Sequence, residues 1–131
     1  MVSIKNSYFD GAGDDSLNVH GVHFKITDIK DNELTVRFMH PQSHGYNPLR
    51  VGDTIAYINT DTLLEEGTAV IEKSELLNEH DIRLTVSNTD KAKVGNVIED
   101  INACPNLDFE NNFMTRIITR GLLITTRGKV N

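Results

Sequence analysis

The sequence predicts an all-β protein in which parallel β-helix coil segments at both ends flank an inserted small antiparallel β-barrel or sandwich. Three observations predict it. No long segment keeps apolar residues at i, i+3, i+4 and i+7, whereas period-two alternation is common. Short alternating runs crowd the middle of the chain, separated by turn residues. The two ends share one pattern at an offset of 105 residues. The division that follows is residues 1–21 as a coil segment with an Asp-Asp turn, residues 22–90 as the barrel-like insertion, and residues 91–131 as the return to coil.

The coil assignment rests on setting IKNSYFDGAGDDSLNVHG, from Ile4, over FENNFMTRIITRGLLITTRG, from Phe109. Ile4 falls on Phe109, Asn6 on Asn111, Leu17 on Leu122 and Val19 on Ile124. Each segment reads as an apolar-x-Asn strand, a gap, and a second apolar alternation. A spacing near 20 residues per unit is that of a parallel β-helix coil, in which apolar residues stack inward and Asn residues form ladders at the turns. Chance similarity between two β-rich stretches is the competing account. Two coils fall below the roughly three repeats a solenoid needs, and the pattern is incomplete at Lys129-Val130-Asn131. The chain is therefore expected to be a piece of a larger β-helical protein.

The middle segment reads as strands in succession. HFKITDIKDNELTVRF is a hairpin around Lys30-Asp31-Asn32-Glu33. DTIAYIN, GTAVIEKSEL and IRLTVS are further strands, with LLNEHD a polar turn between the last two. Five or six short antiparallel strands between Val22 and Ser87 suit a small barrel or sandwich. A lesser echo relates Arg50-Val-Gly-Asp-Thr-Ile-Ala-Tyr-Ile-Asn to Lys93-Val-Gly-Asn-Val-Ile-Glu-Asp-Ile-Asn, as two uses of one turn-into-strand solution.

Composition narrows the function classes. The 131 residues are 38% hydrophobic and 24% charged with a net charge of -6. That balance suits a globular chain and argues against a nucleic-acid partner, whose phosphates are held mainly by Lys and Arg. No apolar run approaches the roughly 20 residues that span a bilayer, so no membrane insertion is expected. The N-terminal MVSIKNSYFD carries no export signal core. The one cysteine, Cys104, rules out an internal disulfide and is read as a small buried hydrophobe.

The chemistry concentrates in FDGAGDDSLNVHG, Phe9–Gly21, where Asp10, Asp14 and Asp15 lie among glycines. Adjacent side chains on a flat strand point to opposite faces, so Asp14 and Asp15 share a cleft only where the backbone bends. Gly11 and Gly13 supply that bend. Two close carboxylates raise one pKa and leave the other ionised, which is equipment for general acid–base work such as glycoside hydrolysis. A plain Asp-Gly turn and a single turn of a calcium-binding nonapeptide array are the alternatives. An inverting glycosidase also needs a second carboxyl group roughly 6.5–9.5 Å away. Asp10 is the one nearby candidate and lies in the same turn. The 105-residue offset brings Thr119 and Arg120 beside Asp14 and Asp15, where Arg120 either contacts a sugar and tunes an aspartate or closes a salt bridge. Asn18 and His20 alternate with inward Leu17 and Val19 and face outward as sugar contacts or solvated positions.

Other chemistries find little support. His20 and His23 face opposite sides of a strand and share no metal. His40, His44 and Tyr46 lie in MHPQSHGYNP, a long hairpin loop in which Pro41 and Gly45 argue against a helix and hence against an i, i+4 metal pair. No metal site and no cofactor are expected. With no Trp in the chain, a sugar-stacking ring has to be Tyr8, Tyr46 or Tyr57, or lie elsewhere.

The G-x-G-D-D-x-x-N-x-H-G stretch, the inserted GTAVIEKSELL and the closing R-G-L-L-I-T-T-R resemble the bacterial exo-α-1,3-galactosidases of glycoside hydrolase family 110. The resemblance runs over nearly the whole chain, although the chain covers only part of such an enzyme. It implies a right-handed parallel β-helix with β-barrel insertions. It implies metal-independent, inverting hydrolysis of terminal α-1,3-linked galactose on glycans of the blood-group-B type. Asp14 and Asp15 take the general-base role, and no residue of this chain takes the role of general acid; Asn18, His20 and Arg120 are candidate sugar contacts from their positions alone. The isolated chain is thus expected to be inactive, and the parent enzyme secreted or periplasmic. Open coil ends expose unpaired strand edges, so homodimers through the solenoid segments are expected. A non-catalytic carbohydrate-binding or adhesive β-solenoid module is the rival reading.

Overall fold

A computed structural model describes all 131 residues, the side chain of Gln42 excepted. It contains twelve strands: β1 (Val2–Lys5), β2 (Tyr8–Asp10), β3 (Leu17–His20), β4 (His23–Lys30), β5 (Glu33–Phe38), β6 (Thr54–Ile58), β7 (Glu65–Leu76), β8 (Asp81–Val86), β9 (Val97–Asp100), β10 (Leu107–Glu110), β11 (Phe113–Thr115) and β12 (Leu122–Thr125). A single 3-10 turn, Pro41–Ser43, interrupts them. The strands fall into two compact units. One is Val22–Asn102, and the other joins Met1–Gly21 to Ala103–Asn131.

The Val22–Asn102 unit is a closed antiparallel barrel with strand order β4-β5-β8-β7-β6-β9. Alternation produces it directly. In β5, Leu34, Val36 and Phe38 point inward, and in β8, Ile82, Leu84 and Val86 do the same. Phe24, Ile26, Ile55, Tyr57, Ile71 and Ile98, themselves each 1% exposed or less, join them in the core. Tyr57 therefore cannot stack on a sugar. Its hydroxyl donates to the Asn88 carbonyl at 2.7 Å, and burial pushes its pKa up to about 12.

The sixth barrel strand is β9, which pairs with β4 and β6. The sequence reading closed the insertion at residue 90 and so left β9 with the returning coil. Its sequence, VIED, is buried at all four positions and shows no alternation to mark it. The signal that does mark it is the lesser echo. Gly52 and Gly95 both take positive φ, at 93° and 95°. They close matching four-residue turns, Asp53 N–H to the Arg50 carbonyl at 3.2 Å and Asn96 N–H to the Lys93 carbonyl at 3.1 Å. A glycine in the third position with positive φ is the requirement of a type II turn.

That echo belongs to a wider symmetry. The strand order is unchanged when β4-β5-β6 is exchanged with β7-β8-β9. Gly52 N–H donates to the Ile71 carbonyl and Ile71 N–H to that of Asp53, just as Gly95 N–H donates to Ile26 and Ile26 N–H to Asn96. Phe38 N–H on the His80 carbonyl is matched by Val86 N–H on that of Asn32. A register shift follows Ile26 in β4 and Ile71 in β7. The barrel is thus two copies of one three-strand design.

The other unit consists of three parallel pairs. Ile4 pairs with Phe109, Tyr8 with Phe113, and Leu17 with Leu122, so each ladder keeps the 105-residue offset. The bends repeat as well: Asn6 and Asn111 both have φ of 52°, and Gly11 at 70° faces Arg116 at 54°. Asn111 Nδ2 donates to Asn6 Oδ1 at 2.6 Å, the expected ladder at a turn. Asn112 locks the same corner, donating to the Ile4 carbonyl and accepting from Ser7 N–H. Beyond β12, Val130 bridges in parallel to Leu107. Cys104 is half-buried rather than buried.

Candidate functional site

Two loops form the candidate site, one between β2 and β3 and one between β11 and β12. The flanking parallel ladders bring them side by side, and Ser16 N–H donates across to the Arg120 carbonyl at 3.4 Å. The chain turns at Gly11, in the left-handed region with open space where a Cβ would lie. Gly13 keeps out of the left-handed region, yet the chain bends there and at Asp14 as well, so both glycines belong to the turn.

Past the bend the two aspartates separate in environment. Asp15 is directed at the neighbouring loop, with a side chain 8% exposed. Its Oδ1 accepts from Thr119 Oγ1 at 3.1 Å, from Arg120 N–H at 3.3 Å and from Arg120 Nε at 3.0 Å. The Arg120 guanidinium bond, aided by the Thr119 hydroxyl, holds the Asp15 carboxyl below the usual carboxylate range against the opposing effect of desolvation. Asp14 is exposed, and its Oδ1 accepts the Asp15 N–H at 2.8 Å. The structure therefore brings together Asp15, Thr119 and Arg120, with Asp14 one residue away on the solvent side.

Asn18 and His20 occupy the exposed positions of β3, alternating with half-buried Leu17 and buried Val19. His20 Nδ1 lies 2.8 Å from the Gly21 carbonyl, which only accepts, so Nδ1 carries the proton. Asp10 is also committed. Arg116 Nε reaches its Oδ1 at 2.6 Å, and Arg116 Nη2 bonds its Oδ2, a two-pronged guanidinium–carboxylate pair. This pair is a residue relation that the sequence reading missed. The offset that placed Arg120 beside Asp15 places Arg116 beside Gly11, and hence next to Asp10.

Two of the three tyrosines are accessible. Tyr8 stacks on Phe113 with centroids 5.4 Å apart and planes 10° apart, and Tyr46 leans on Phe38 at 6.0 Å. Among the described residues, no group of three or more His, Cys, Asp or Glu side chains is arranged to hold a metal ion.

Comparison with known proteins gives these loops a context. The family model described as GLAA-B beta-barrel domain II matches residues 33–98. Alpha-1,3-galactosidase A of Bacteroides thetaiotaomicron is 37% identical over 134 residues, covering 98% of this chain and 24% of the relative. Alpha-1,3-galactosidase A of Akkermansia muciniphila is 34% identical, over 98% of this chain and 22% of its own length. Alpha-1,3-galactosidase B of Parabacteroides distasonis is 30% identical, over 93% of this chain and 22% of its own. The chain thus spans about a quarter of the length of the curated relatives it matches.

Proposed function

We propose, since this chain belongs to the GLAA-B β-barrel domain II family, that it is a segment of a glycosidase that removes terminal α-1,3-linked galactose from glycans, with inversion. The observation that carries the reading is the divided environment of Asp14 and Asp15. Inverting hydrolysis needs one carboxylate ionised and able to take a proton from water, opposite a separate acid that protonates the leaving oxygen. Asp15, kept ionised by Arg120, supplies fixed negative charge beside an oxocarbenium-like centre. Asp14, exposed beside it, accepts the proton from the attacking water. Asn18 and His20, outward on β3, contact sugar hydroxyls. Asp10, gripped by Arg116, is poorly placed to donate a proton, so the acid belongs to another part of the parent enzyme, and this chain alone is inactive.

The parallel ladders support a right-handed β-helix as the frame of that enzyme. Val130 bridging to Leu107 has the form of a further coil beginning. The parent acts outside the cytoplasm, where such glycans are met.

A second reading, a non-catalytic carbohydrate-binding β-solenoid module, is favoured by one observation. All three donors to Asp15 fall on one oxygen and come from its neighbouring loop, as in a purely structural ion pair. Proton NMR of a parent enzyme bearing this segment, acting on an α-1,3-galactosyl disaccharide, separates the readings. Appearance of β-galactose before mutarotation supports inverting hydrolysis. Binding without release supports the module, and α-galactose as the first product contradicts inversion.

A further inference from the structure

We propose that the barrel carries a surface site for a late first-row divalent metal ion, held by His44 and His80. The two residues are 36 apart in sequence, yet their Nδ1 atoms lie 3.0 Å from one another. Their rings meet edge to face at 4.4 Å and 82°. Two imidazole nitrogens bound to one metal at about 2.0–2.1 Å, at angles between a right angle and tetrahedral, are roughly 2.9–3.4 Å apart. The observed separation falls in that range, so binding requires each ring to turn its lone pair off the N–N line without moving its backbone.

The backbones are fixed. Gly45 N–H donates to the Glu79 carbonyl at 3.0 Å, and Phe38 N–H to that of His80 at 3.0 Å. His80 N–H is held by Asn78 Oδ1 at 2.8 Å, and the His44 ring rests against Phe38 at 5.9 Å. The protonation pattern is also suitable. Glu79 Oε1 lies 3.0 Å from His80 Nε2. A carboxylate on that nitrogen keeps the proton there and leaves the Nδ1 lone pair available, the arrangement that supports metal-bound histidines. His44 then donates its Nδ1 proton to His80 while no metal is bound, and carries the proton on Nε2 once one is. Imidazole pairs select Cu²⁺, Ni²⁺ and Zn²⁺ over Mg²⁺ and Ca²⁺. With two protein ligands, water fills the remaining positions. The metal would clip the Pro41–Tyr46 loop to the turn between β7 and β8.

The test is calorimetric titration of the chain with Cu²⁺ and Zn²⁺, with electron paramagnetic resonance of the Cu²⁺ form. One equivalent should bind, with hyperfine structure from two imidazole nitrogens, and Mg²⁺ should not compete. His44→Gln and His80→Gln should each weaken binding by about tenfold or more, and Glu79→Gln by about tenfold, the usual effect of losing an outer partner. His20→Gln and His23→Gln should bind as the parent does. Far-UV circular dichroism checks folding, and His44→Gln alone decides if the His80 variant unfolds. Absence of stoichiometric binding, or binding that survives in His44→Gln, overturns the proposal.

Discussion

The backbone at residue 11 shows how one side chain position sets the candidate site. Gly11 sits at φ of 70° with space around it, so an added methyl meets no neighbour and the cost is conformational alone. Gly11→Ala should lower stability by about 1–2 kcal/mol. Gly13→Ala, at an ordinary φ, should leave stability unchanged or raise it by up to about 1 kcal/mol. Urea unfolding of the two variants checks this, and equal losses would contradict it. In the barrel, Arg37 Nε and Nη2 grip Asp81 at 2.7 and 2.9 Å, and Asn78 adds a third donor. These bonds hold the Asp81 carboxyl below its ordinary value. A depressed folded-state pKa contributes stability that is complete above the unfolded value, about 3.9, and disappears as pH falls through the folded one. Arg37→Met should lower the urea midpoint at neutral pH and flatten its decline in acid. A parallel decline in both proteins would sink the assignment. Asp15 and Arg120 were legible from the sequence as neighbours through the offset alone. Their hydrogen bonding was not, because which oxygen is occupied depends on loop geometry that an offset does not carry.

Among the elements, the strands with alternation were readable and the strand without it was not. β5 and β8 alternate buried with outward residues, and the hairpin turn Asp31-Asn32 joins β4 to β5 as its residues predict. VIED of β9 is buried on both faces, so period two is absent, and the sequence reading left it with the returning coil. The repeated turn at Gly52 and Gly95 was the visible trace, and it gains meaning only with the barrel's internal symmetry. Because β9 closes the barrel, truncating Ile98, which has no exposure, should be as costly as truncating a central core residue. Ile98→Ala should lose about 2–5 kcal/mol. A loss near zero in urea unfolding would mean that β9 is peripheral. Tyr57→Phe, removing only the bond to the Asn88 carbonyl, should lose about 0.5–1.5 kcal/mol.

For the whole molecule, the two units differ in how they reach stability. The barrel closes its own hydrogen-bond ladders around a continuous core. The parallel pairs are two-stranded, with outer edges open to further pairing. The isolated chain should therefore self-associate as concentration rises, whereas a monomeric mass in sedimentation over a wide concentration range would contradict this. The proposed reading, in which both aspartates serve the base side, also predicts that the isolated chain releases no galactose.

The most direct measurement of the central claim is the initial rate of galactose release by a parent enzyme carrying this segment, with Asp14→Asn and Asp15→Asn made separately. Each variant should fold like the parent and lose at least about a hundredfold in rate, the usual contribution of a positioned base for Asp14 and of one electrostatic stabiliser for Asp15. Rates within a few-fold of the parent in both folded variants would contradict the account and leave the Asp-Asp turn a structural one.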